Sequence, residues 1–174
     1  MTAPCVRRLA PLLAALVACT PRFDWRDVRI GEGSLHALFP CRPQHRAREV
    51  KLAGSALHME MSACTAADST FALSFVDASG PGQVASVLEA LRRAASGNLG
   101  ATVPAARPFT PEGATPNPAS GRLRIEGRLP DGKPVVEHSV FFIHGLRIYQ
   151  ATVIGAAPDA EAVENFFSGL KLAS

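Results

Sequence analysis

His58, Glu60, Ser62 and Cys64 recur every second residue and carry the groups from which a nucleophile and its base are built. A hydroxyl or thiol becomes nucleophilic when a histidine lies within hydrogen-bond reach. Spacing by two places all four on one face of a strand, with neighbours about 7 Å apart. Along a single strand they therefore do not touch, and their plainer reading is the wetter face of a sheet. The histidines are His36, His45, His58, His138 and His144. No two have the helical spacing of a metal pair. His138 and His144 share strand parity but stand about 20 Å apart along a strand, and read as surface or core-edge residues. Arg122, Arg124 and Arg128 form a basic stripe that could grip a headgroup or an acidic partner. A solvated strand face offset by Glu126 explains the stripe as well. There is no G-x-S-x-G, phosphate-binding loop, H-E-x-x-H or C-x-x-C, so the reading assigns no catalytic, cofactor-binding or metal residue.

The amino terminus is more specific. Arg7-Arg8 precede an apolar run at 9–18 that ends in Leu16-Val17-Ala18-Cys19. A basic start, a short apolar centre and small residues before the cut read as a secretory signal. The run is about half the length needed to span a bilayer. With Cys19 directly after the small residues, the segment resembles a bacterial lipoprotein lipobox. That resemblance implies cleavage before Cys19, lipidation of its thiol and acylation of the new amine. Thr20, rather than Asp, then implies the outer membrane. The chain is thus divided into a signal peptide at 1–18, a lipidated Cys and short tether at 19–22, and one domain at 23–174.

Removing 18 of 174 residues leaves 156, enough for a single hydrophobic core. The chain is 47% hydrophobic and 19% charged, as globular proteins are. Its formal charge of +3 falls to +1 without Arg7 and Arg8. Such a balance, with basic residues scattered, leaves no footprint for nucleic acid. Only residues 20–22 separate the lipid from Phe23. A fold beginning there would sit against its membrane, with Arg22, Phe23, Trp25 and Arg26 near headgroups. A core role for Trp25 is equally consistent.

Cys5 leaves with the signal and Cys19 carries the lipid, so Cys41 and Cys64 remain. Both fall at the ends of expected strands, where neighbouring strands could bring their Cα atoms within disulfide range. An exported protein would oxidise such a pair. The alternatives are two buried free thiols or, with less support, a reactive cysteine.

Strand signals begin at Leu35–Phe39 and continue at 48–53, 57–64 and 71–75. Residues 23–30 fit either a strand or a helical turn. Val84, Val87, Leu88, Leu91 and Ala95 have helical periodicity, with Gly97-Asn98 as the stop. Residues 104–121 hold five prolines and two glycines and predict a long loop. Strands resume at 122–128, Pro134–His144 and 146–154; the last two carry apolar residues on both faces, as covered central strands do. A second amphipathic helix is expected at 158–168, closed by Gly169.

Antiparallel hairpins with separated helices argue an α+β fold. The layout resembles the Mog1/PsbP-like family. The resemblance rests on Phe39-Pro40 after an early strand, on Gly145-Leu146-Arg147-Ile148-Tyr149-Gln150 as a Tyr-bearing late strand, and on Glu164-Asn165-Phe166-Phe167-Ser168-Gly169-Leu170-Lys171-Leu172 as the closing helix and strand. It implies an antiparallel β-sheet sandwiched by helices. Family members include photosystem assembly subunits, nuclear transport factors and envelope lipoproteins, so the fold alone does not fix a function. The expectation is a non-catalytic binding or assembly module, held on the membrane by its lipid and able to meet an envelope protein partner. The alternative is a small-molecule binder or hydrolase with its pocket near the 104–121 loop.

Overall fold

The computed structural model describes residues 22–172. Residues 1–21, with the signal segment and Cys19, lie outside the described part. The elements run β1 (Arg26–Ile30), β2 (Leu35–Phe39), β3 (Gln44–Leu52), β4 (Ser55–Ala66), β5 (Ser69–Asp77), α1 (Pro81–Asn98), β6 (Gly121–Arg128), β7 (Pro134–His144), β8 (Arg147–Gly155), α2 (Ala160–Ser168) and β9 (Lys171–Leu172). Six strands form an antiparallel sheet in the order β3-β4-β5-β8-β7-β6, and three form a smaller one in the order β1-β2-β9. The fold is α+β.

Strand alternation sorts the apolar side chains into two cores. Val76, Phe141, Ile143, Ile148, Leu123 and Ile125 face α1, whose Val84, Val87, Leu88 and Leu91 cover them. Phe71, Leu73, Val140, Phe142, Tyr149 and Val153 face the other way. There they meet Val163, Phe166 and Phe167 of α2 and Leu35, Ala37 and Phe39 of β2. The central strands are therefore covered on both sides, which is why β7 and β8 read as apolar throughout.

Several boundaries differ from expectation for local physical reasons. Residues 23–30 resolve into an extended lead and a five-residue strand with one buried residue, Ile30. Strand β3 starts at Gln44 rather than Arg48. It is the sheet's edge, its first six residues are exposed, and no alternation is needed there. Helix α1 runs through Gly97-Asn98, and the left-handed residue that ends the turn is Gly100, at φ +65°. Helix α2 begins after Asp159, whose carboxylate accepts from the Ala162 amide at 2.9 Å. Pro158 precedes that cap.

The 104–121 segment is stitched to the sheets rather than looped free. Arg107 pairs with Arg122, Glu112 with Lys171, and Thr115 with Ile143. Phe23 and Trp25 are half-buried against the second core, with ring centroids 5.7 Å apart and Phe23 6.5 Å from Phe71. No helix among the described residues is long and apolar enough to cross a membrane.

Candidate functional site

Strand β6 turns Leu123 and Ile125 into the α1 core and Arg122 and Arg124 to the α2 face. Arg124 stands opposite His138 of β7, and Arg122 opposite Val140. On the outer side of β6 the chain at Arg107 exchanges both backbone hydrogen bonds with Arg122, at 2.9 and 2.8 Å. Residues paired in this way project to the same side of the sheet. A Cβ on Gly121 would lie 2.8 Å from the Arg107 carbonyl oxygen, so glycine is what lets the two backbones approach here. Helix α2 adds Glu164, bonded to Arg122 at 2.7 Å, and Phe167, over which the Arg122 guanidinium stacks at 5.0 Å. Phe109 packs edge-on against Phe167, with centroids 6.1 Å apart.

Arg107, Phe109, Arg122, Arg124, His138 and Glu164 line an open cleft of about 500 Å³. It presents three guanidinium groups, one imidazole and one carboxylate. Burial, reinforced by Arg122 and Arg124, holds the His138 imidazole below its usual range and hence neutral, against the weaker opposing pull of Glu164. Its Nδ1 is buried and has no hydrogen-bond partner among the described residues. No hydroxyl or thiol lines the cleft. The arrangement can hold an anion, and among its lining residues His138 and Glu164 are the groups able to act as a base or nucleophile.

The residues of the β4 polar row are not brought together. Cys64 is bonded to Cys41, with Cα atoms 6.0 Å apart. This satisfies the expected pairing and removes the thiol from any nucleophilic role. Ser62 is buried at 6% exposure and Cys64 packs at the margin of the second core, so this end of the row is not a wet face. Its cause is the small sheet, which lies over it. Glu60 lies 3.7 Å from His45 across β3, while His58 is exposed. His144 Nδ1 lies 3.1 Å from the Gly113 carbonyl oxygen. Among the described residues no group of three or more His, Cys, Asp or Glu side chains is placed to hold a metal ion.

One polar cluster escaped the sequence reading. On the α1 face, Ser139 donates to Glu137 and lies 2.8 Å from Thr152 Oγ1, which also accepts from Gln150 at 3.2 Å. Glu137 is 6% exposed and Ser139 fully buried. A lone acid inside the apolar β7 run was the available signal. Burial holds the Glu137 carboxyl above the usual carboxylate range, partly offset by the Ser139 bond. The folded state thus binds this proton more tightly than the unfolded chain. Stability should fall as pH rises from the unfolded value of about 4.3 through the folded one, and stay lower above it. Glu137→Gln should remove that slope, so that the variant gains on the wild type as pH rises from 4 to 7. Urea midpoints across this range check it; parallel curves for both proteins would contradict it.

No family model matches the chain, and no curated protein matches it. Among solved structures it is similar to a protein of Bacteroides thetaiotaomicron VPI-5482, at 9% identity and a TM-score of 0.45. The alignment covers 88% of this chain and 50% of that one, so the chain spans about half the length of that neighbour.

Proposed function

We propose that this chain is an exported lipoprotein, anchored through lipid on Cys19 to the periplasmic face of the outer membrane. Its 23–174 domain would act as a non-catalytic binding or assembly module of the envelope. The observation that carries the reading is the Cys41–Cys64 disulfide, which joins the end of β2 to β4. Such bonds persist in oxidising compartments and are rare in the cytosol. It agrees with the signal-like segment at 1–18. A Mog1/PsbP-like assignment is supported by the layering, with α1 on one face of the antiparallel sheet and α2 with the small sheet on the other. Arg22 and Arg26 are exposed beside half-buried Phe23 and Trp25, which suits a domain edge resting near headgroups.

The cleft beside the 104–121 segment favours the small-molecule binder within the alternative reading. A hydrolase would have to rest on His138 and Glu164, because no hydroxyl or thiol lines the cleft.

Cys19→Ala tests the anchor. One acyl chain binds a membrane marginally, whereas two or more hold it stably, at about 0.8 kcal/mol per buried CH₂. The wild-type protein should sediment with outer membranes through high-salt washing. The variant should be released or retain its signal segment. A variant that sediments, fully processed, as wild type does would overturn the anchor.

A further inference from the structure

We propose that the cleft between the 104–121 segment and β6 is a binding site for a compact oxyanion of the phosphate class, gripped by Arg107, Arg122 and Arg124. The inference goes beyond the anchored-module reading and does not depend on the lipid at Cys19.

Like charges placed directly opposite across a strand pair repel, yet the Arg107–Arg122 pairing sets two arginines face to face, with Arg124 two residues along the same side. One carboxylate, Glu164, reaches into the cleft. Glu126 pairs with Arg124, but both side chains are more than half exposed, and such pairs are weak. Among the described residues, the Arg107 side chain has no carboxylate within ion-pair distance. Three guanidinium groups against the two carboxylates Glu164 and Glu126 leave one excess positive charge, resting on Arg107, beside a concave site. A local violation of charge pairing of this kind is what a binding site retains.

The donor chemistry selects the ligand. Guanidinium groups present paired N–H donors in a planar fork that matches the oxygens of phosphate or carboxylate. Arg122 is already fixed by Glu164 and by stacking on Phe167, so it is a preorganised donor. Arg107 is exposed and free to close over the ligand from the loop side. Three forks, two from β6 and one from the facing segment, offer more donors than one flat carboxylate, which two forks saturate, and so suit a tetrahedral oxyanion better. His138, neutral and unpartnered at Nδ1, lines the cleft and serves as a reporter. The anion could be a free phosphoryl or sulfuryl group or a lipid headgroup, and these sources share the same recognition.

The test uses the full chain in phosphatidylcholine nanodiscs, with the His138 imidazole followed by NMR. Inorganic phosphate is titrated against chloride at constant ionic strength, which separates binding from screening. A saturable His138 shift is expected with phosphate and not with chloride. R107Q and R124Q should each weaken binding about tenfold or more. R93Q, an exposed arginine on α1, should bind as wild type does. In a second arm, phosphatidylglycerol replaces part of the lipid with no phosphate added. A shift there identifies a headgroup as a competent source; a shift with free phosphate alone identifies a soluble ligand. No saturable shift in either arm, or R107Q and R124Q binding like R93Q, would overturn the proposal.

Discussion

Phe166→Ala is expected to cost about 3–5 kcal/mol of folding stability, the usual loss for a fully buried aromatic. Phe166 is 0% exposed. Its ring meets Phe39 at 5.2 Å and Phe71 at 5.5 Å, both edge-on. It therefore joins α2, the small sheet and the large sheet at one point, and truncation opens a cavity that none of the three can close alone. At about 2–4 °C per kcal/mol for a domain of this size, the unfolding midpoint should fall by about 6–20 °C. Phe109→Ala should cost much less, because Phe109 is only half-buried at the margin of the same cluster. Thermal unfolding followed by circular dichroism gives both values. Equal and small losses at the two positions would contradict the seating of α2 described above.

The second large effect concerns the covalent link. Replacing both Cys41 and Cys64 by Ala should destabilise the domain by about 3 kcal/mol, the chain-entropy value for a loop closed over a separation of 23 residues. The bridge fastens the turn after β2 to the end of β4, so it ties the small sheet to the large one. Its loss should be felt first in β1 and β2. Hydrogen exchange should accelerate there while β7 and β8, covered on both faces, keep their protection. Reduction of the wild-type protein should reproduce the effect. An unchanged midpoint, or two thiols labelled under denaturing conditions without reductant besides Cys19, would contradict the bridge.

What was legible in the sequence followed from burial. Strand β5 and both helices announced themselves because their apolar residues recur at the period of the element that buries them, and β7 and β8 because covered central strands read as apolar runs. Cys41 and Cys64 could be paired because both fall at strand ends. Strand β3 hid its first four residues because an exposed edge imposes no alternation, and β1 hid because only Ile30 is buried. A two-residue strand such as β9 has no periodicity of its own; the resemblance of 164–172 to a closing helix and strand was its one signal, and β2 offers it an edge. The cleft was half visible. Arg122, Arg124 and His138 stood out by type and spacing, but Arg107 reaches Arg122 only through the 104–121 segment and Glu164 only through α2. Those approaches are tertiary, and no spacing along the chain reports them. Glu137 was the opposite case: its position inside an apolar run was readable, yet its burial depends on what α1 and the loop after it cover.

The central claim is that this domain is exported and held by lipid at its first mature residue. It is tested most directly by mass spectrometry of the mature amino-terminal peptide. The account predicts that the chain begins at Cys19, with a diacylglyceryl group on sulfur and an acyl group on the new amine. A mature terminus at any other residue, or an unmodified Cys19, would contradict it.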